Sequence, residues 1–134
     1  MTQATTPLQV SRIATVMLPV ADQERSLDFY VGKLGFEKRA DVPFGRGDRW
    51  IEVAPAGGTS TVALCMPPQG QTIAPIMACS FLSSDVDADH RALREAGVDV
   101  DAEVMRMGDP VPPMFWFRDP DGNSLLIVQD TTQG

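Results

Sequence analysis

Apolar and polar positions along the chain fall into short blocks whose spacing switches from strand-like to helix-like and back. The block at residues 13–20 (IATVMLPV) is apolar, short and partly β-branched, which predicts a mostly buried strand. Asp22 follows as a helix N-cap, and Glu24 lies in the first turn, where a carboxylate meets the positive end of the helix. Leu27, Tyr30, Val31 and Leu34 then recur at helical spacing and predict one apolar helix face. Gly35 stops the helix, because a left-handed position costs glycine no Cβ clash, and Phe36 folds apolar surface back over the end. Extended stretches follow at residues 36–42, 49–54 and 61–66, separated by turn clusters at Gly45, Gly47 and Asp48 and at Gly57 and Gly58. The order is β-α-β-β-β.

Residues 67–75, rich in Pro, Gln and Gly, read as a linker, and after it the pattern starts again. Residues 76–82 resemble a strand, Asp85 takes the N-cap position, and Val86, His90, Leu93 and Gly97 mark one helical side. Gly97-Val98 repeats the Gly35-Phe36 stop. Extended segments are expected at residues 98–105, 113–118 and 124–129, the last two joined by the turn Asp119-Pro120-Asp121-Gly122-Asn123. An internal repeat results: a first βαβββ module at residues 11–66, the linker, and a second module at residues 76–130, with flexible termini at 1–10 and 131–134. The class is α+β, one domain overall. Each module covers one sheet face with its helix, so the other face must meet something. Two modules, from one chain or exchanged between chains, can curl their free faces around a common cleft, the natural ligand site.

Composition narrows the partners. The 134 residues, 43% hydrophobic and 22% charged, are ordinary for a globular protein. A formal charge of −7, with only 11 scattered Lys and Arg, opposes binding to phosphate backbones or anionic lipid, so neither nucleic acid nor membrane is expected as a partner. No apolar run reaches bilayer length, and residues 1–9 lack the basic start and apolar stretch of a secretion signal. Cys65 and Cys79 have neither metal-ligand spacing nor a disulfide framework around them, and they read as small buried hydrophobes. A cytoplasmic location is the expectation.

LPVADQERSLDFYVGKLGFE (residues 18–37), SSDVDADHRALREAGVDV (83–100) and FWFRDPDGNSLLIVQ (115–129) together resemble the vicinal oxygen chelate superfamily. That superfamily includes glyoxalase I, extradiol dioxygenases, fosfomycin resistance proteins and bleomycin resistance proteins. The resemblance runs from about residue 11 to 130. It implies paired βαβββ modules, a homodimer, and, in members that do metal chemistry, a divalent ion held by His, Gln or Glu from the first and last strands of each module. Ungapped matching puts those ligand positions at Thr15, Ala63, Ala78 and Leu126. Three of them cannot ligate, Thr15 is a poor ligand, and the flanking residues add only one thiol. His90, the lone histidine, lies on the second helix and reads as a packed residue. The expectation is therefore no metal and no cofactor; a divalent ion fits only a non-standard site.

Strand alternation sketches the cleft wall. Val16, Leu18 and Val20 should pack under the first helix, leaving Thr15, Met17 and Pro19 on the cleft side, with Trp50 and Glu52, Met114 and Trp116, Ala63, Cys65, Ala78, Ser80, Leu126 and Val128 completing it. The candidate ligand-binding set is Thr15, Met17, Trp50, Glu52, Cys65, Ser80, Met114, Trp116 and Leu126: two indoles, thioethers, small residues and one carboxylate, suited to a flat, partly hydrophobic molecule. The tryptophans would equally fill a subunit interface. Glu52, flanked by Trp50, Ile51 and Val53, is the one candidate catalytic group; burial would raise its pKa toward a general base, unless an arginine such as Arg49 or Arg118 pairs it or it sits at the rim in water. Three functions stay open: a metal-free binding protein of the bleomycin-resistance type that sequesters an antibiotic or metabolite; a glyoxalase-, isomerase- or dioxygenase-type enzyme with a non-standard metal site or Glu52 as base; and a ligand-free structural dimer.

Overall fold

The computed structural model describes residues 7–45, 47–68 and 71–132. The expectations for residues 1–6 and 133–134 lie outside the described residues, as does Arg46 of the Gly45–Asp48 turn. Two four-stranded mixed sheets form, one per predicted module. In the first, β1 (Thr15–Pro19) runs parallel to β4 (Thr61–Cys65), and β3 (Asp48–Ala54) and β2 (Glu37–Phe44) continue antiparallel, giving the order β1-β4-β3-β2. The second repeats it as β5-β8-β7-β6, built from β5 (Met77–Ser83), β8 (Ser124–Gln129), β7 (Met114–Arg118) and a short β6 (Asp99–Val100).

Both helices start where the caps place them. The Asp22 carboxylate accepts the Arg25 amide at 3.1 Å and opens α1 (Gln23–Leu27), and Asp85 accepts the Ala88 amide at 3.1 Å and opens α2 (Val86–Glu95). Gly35 and Gly97 both take positive φ, 74° and 77°, where any other residue would strain. The first helix differs from expectation in its second half, which is a π-helical stretch at Asp28–Lys33. Leu27, Tyr30 and Leu34 of the predicted face pack on the core, whereas the wider turn adds Phe29 to it and leaves Val31 exposed. β6 is also shorter than the predicted 98–105 strand. Beyond Val100 the Asp101 amide donates to the Trp116 carbonyl at 3.0 Å while its carboxylate accepts the Trp116 amide at 3.2 Å, and the next bridge is the isolated Met105–Met114 pair.

One core serves both modules. Leu18, Val20, Ile51, Val53, Val62 and Leu64 of the first sheet join Phe115, Phe117 and Leu125 of the second around Phe29 and Tyr30. Phe29 stacks on Phe117 with ring centroids 6.3 Å apart, and Phe36 meets Phe81 edge-on at 5.4 Å. The DPDGN turn clamps this seam. Tyr30 donates its hydroxyl to Asp119 at 2.8 Å, Asn123 donates its side-chain amide to the Pro19 carbonyl at 2.9 Å, and Asp121 accepts the Ala21 amide at 3.0 Å and the Arg25 guanidinium at 2.7 Å. Burial, then the Asp119 carboxylate, pushes the Tyr30 phenol far above its usual pKa, so it stays a proton donor. The helix-bearing sides thus meet inside the chain, and the opposite face of each sheet is left open.

Candidate functional site

Strand pairing fixes which side chains share an open face. In the first sheet Met17 is opposite Ala63, Glu52 is opposite Ala63 and Ala40, and Trp50 is opposite Val42. Alternation therefore gathers Thr15, Met17, Trp50, Glu52 and Cys65 on one side, away from Leu18, Ile51 and Val53. In the second sheet Trp116 is opposite Leu126, Met114 opposite Val128, and Ser80 opposite Leu126, which places Ser80, Met114, Trp116 and Leu126 together. The nine candidates thus form two groups, one per sheet. The module-to-module contacts described above run through the other faces. Ala78 departs from the sketch: the ladder slips between Met77 and Ser80, so Met77 pairs with Ser124 on the open side and Ala78 packs against the core.

Glu52 is held by two neutral donors, one from its own strand and one from β4. Trp50 donates its indole N–H to one carboxylate oxygen at 2.6 Å, and Thr61 donates its hydroxyl to the other at 2.6 Å. Thr15 completes the chain, 2.8 Å from the Thr61 hydroxyl and 3.0 Å from the Thr61 carbonyl. The expected upward pKa shift is overturned. The Thr61 hydrogen bond, then that of Trp50, holds the Glu52 carboxyl below its usual range and outweighs desolvation. A carboxylate stabilised this way is a weaker base, which weakens the catalytic assignment of Glu52. The arginine pairing fails as well. Arg49 is held by Asp41 and Glu24, and Arg118 by Asp99 and Asp101. Thr61 is the residue sequence reasoning missed; its position two before Ala63 put it on the same face and was the available signal.

The donor set does not suit a divalent ion. Thr15, Ala63 and Leu126 lie on the open faces with a single carboxylate among them, and Ala78 is packed inward. Among the described residues no three His, Cys, Asp or Glu side chains gather into a metal-binding group. His90 is half-buried on α2, its Nε2 2.7 Å from the Asp101 carbonyl and its ring edge-on to Phe115. Cys65 and Cys79 are free and half-buried, and burial pushes both thiols up.

The open faces are conspicuously apolar. Phe44 lies beside Trp50 with ring centroids 5.5 Å apart. Exposed fractions are 60% for Met17, 51% for Val42, 59% for Phe44, 75% for Met77 and 69% for Leu82, all on strands and all on the open side by register. A shallow, open crevice of about 400 Å³ borders Met17 and Cys65 and is lined on its other side by linker residues that include Pro67, Pro68 and Ile73. A second cavity, of about 250 Å³, lies in the seam between Phe36, Phe81, Phe117 and Leu93, away from the indoles. No helix among the described residues is long and apolar enough to cross a membrane.

Comparisons with known proteins agree with this architecture. TnmS3, an antibiotic binding protein from Streptomyces sp. CB03234, is 34% identical, covering 93% of this chain and 100% of its own with a TM-score of 0.78. A superfamily member from Sphaerobacter thermophilus DSM 20745 is 33% identical over 92% of this chain and 100% of its own, with a TM-score of 0.80. The Bacillus subtilis (strain 168) protein YurT is 30% identical over 128 residues, 88% of this chain and 98% of its own length. The model of the Glyoxalase/Bleomycin resistance protein/Dioxygenase superfamily matches residues 12–127, and the chain belongs to that family.

Proposed function

We propose that the protein is a binding protein that sequesters a small, partly hydrophobic aromatic molecule, an antibiotic or secondary metabolite, without a metal. The carrying observation is the open faces: two indoles and five exposed large apolar side chains on strands whose other side is already packed. Apolar surface of that kind marks a ligand or subunit site. Because the helix-bearing faces meet within the chain, the cleft is completed by a second copy, the first module of one chain facing the second module of the other. Likeness to the antibiotic-binding TnmS3 supports the same reading. The lowered pKa of Glu52 weighs against a base-catalysed enzyme. The cytoplasm, where Cys65 and Cys79 stay reduced, is the proposed setting.

Tryptophan fluorescence across a panel of polycyclic aromatic antibiotics tests this. Saturable quenching is expected with at least one compound, and Trp50→Phe and Trp116→Phe should each remove part of the signal. A flat response across the panel would sink the proposal.

A further inference from the structure

Glu52 is held as an anion by groups that carry no charge. The indole N–H of Trp50 and the hydroxyl of Thr61 each donate to one carboxylate oxygen at 2.6 Å. Thr61 has a single proton, and Glu52 takes it. Thr15, 2.8 Å from the Thr61 hydroxyl, donates its own proton to the Thr61 carbonyl at 3.0 Å and so does not compete for the Glu52 carboxylate. Hydrogen bonds of this kind favour the ionised form without neutralising it. Arg49 on the same strand and Arg118 at the end of β7 do not neutralise it either: Arg49 is engaged by Asp41 and Glu24, and Arg118 by Asp99 and Asp101. An ionised carboxylate offers about four acceptor sites. Two are used here, so acceptor capacity remains toward the open side.

Beside this charge lies the Trp50 ring. Its N–H edge is turned to Glu52, Phe44 lies tilted beside it with ring centroids 5.5 Å apart, and the half-buried indole keeps part of its surface for stacking. A carboxylate next to an indole face is the environment of a desolvated cation, which gains from the ring quadrupole and from the anion together. The chain's formal charge of −7 adds a long-range field of the same sign.

We propose that the open face selects planar aromatic ligands bearing a positive charge, as a protonated amine or a quaternised ring nitrogen, with Glu52 as counter-ion and Trp50 as the stacking surface. This rests on the reading of the open faces as a ligand cleft and adds the charge of what enters it. Three probes of similar shape test it on the intact protein by calorimetric titration: N-methylacridinium, acridine in mildly alkaline buffer where it is neutral, and anthracenecarboxylate. The cation should bind about tenfold tighter than neutral acridine, with the anion weakest. Glu52→Gln should reduce the cation's advantage to roughly twofold, and added salt should erode it in the unmodified protein, which gives a readout independent of any variant. Equal binding of all three probes, or an advantage that survives both Glu52→Gln and high salt, overturns the charge selection while leaving the cleft standing. Binding of none overturns the cleft and the selection together.

Discussion

Thr61 has no charge and no motif around it, yet its hydroxyl is the first cause of the lowered Glu52 pKa, ahead of the Trp50 N–H. Thr61→Val removes that donor and keeps the branched shape on β4. The carboxyl of Glu52 should then titrate closer to its ordinary value, read by carbon-13 NMR of the glutamate side chains. A carboxyl held below its unfolded-state value contributes stability above that value and loses it as pH falls through the folded one. The variant should therefore be less stable than the parent at neutral pH, by about 1 kcal/mol given the partial exposure of Glu52, with the gap closing on acidification. An unchanged titration would show that Trp50 alone sets the charge. Alternation made the open-face residues legible: Thr15, Met17, Trp50 and Glu52 stand on the expected side. The pKa direction was not legible. Of the neighbours Trp50, Ile51 and Val53, Trp50 reads in the sequence only as an apolar ring though its N–H is one donor, and the other is a hydroxyl diagonal to Glu52 across the β3–β4 ladder.

The two modules carry the same cap and stop signals, but the interval from Asp22 to Gly35 is one residue longer than that from Asp85 to Gly97. The first helix absorbs the extra residue as the π-helical stretch Asp28–Lys33, in which the Leu34 amide reaches back to the Phe29 carbonyl at 3.0 Å. Caps and glycine stops depend on local chemistry, which is why they were readable. The π-helical turn depends on where Phe29 and Tyr30 must pack against Phe117 and Asp119, a contact across some 90 positions of chain that periodicity cannot see. Two glycines in this element respond oppositely to one substitution. Gly32 has nothing within 4 Å of an added Cβ and no positive φ, so Gly32→Ala should raise stability by about 0.5–1 kcal/mol by restricting the unfolded chain. Gly35 has equal space but a φ of 74°, so Gly35→Ala should lower stability by about 1 kcal/mol. Denaturant midpoints check both, and shifts of the same sign would contradict the conformational account.

At the scale of the whole chain, the same sheets do two jobs with their two sides. The helix-bearing sides are consumed by the seam, where DPDGN, read from sequence only as a turn, proves to tie Tyr30, Pro19 and Arg25 of the first module to the second. Turn chemistry predicted its backbone; its partners lie far away in sequence and left no local trace. Among the described residues the open sides have no comparable hydrogen-bonded partner, and Met17, Val42, Phe44, Met77 and Leu82 project from them. If a second copy covers them, a charge there should act on association and not on folding. Met17→Glu is the discriminating change, because Met17 is solvent-exposed in the single chain but would be desolvated in the dimer. The symmetric dimer buries this carboxylate twice, at about 3 kcal/mol each, so its dissociation constant should rise on the order of ten-thousandfold. Sedimentation equilibrium should find the parent dimeric and Met17→Glu shifted to monomer at the same concentration, with an unaltered far-ultraviolet circular dichroism spectrum and lost quenching by aromatic ligands. A variant that stays dimeric, or a parent that is monomeric throughout, would move the cleft from between two chains to the face of one sheet, where Trp50 and Trp116 no longer address the same ligand.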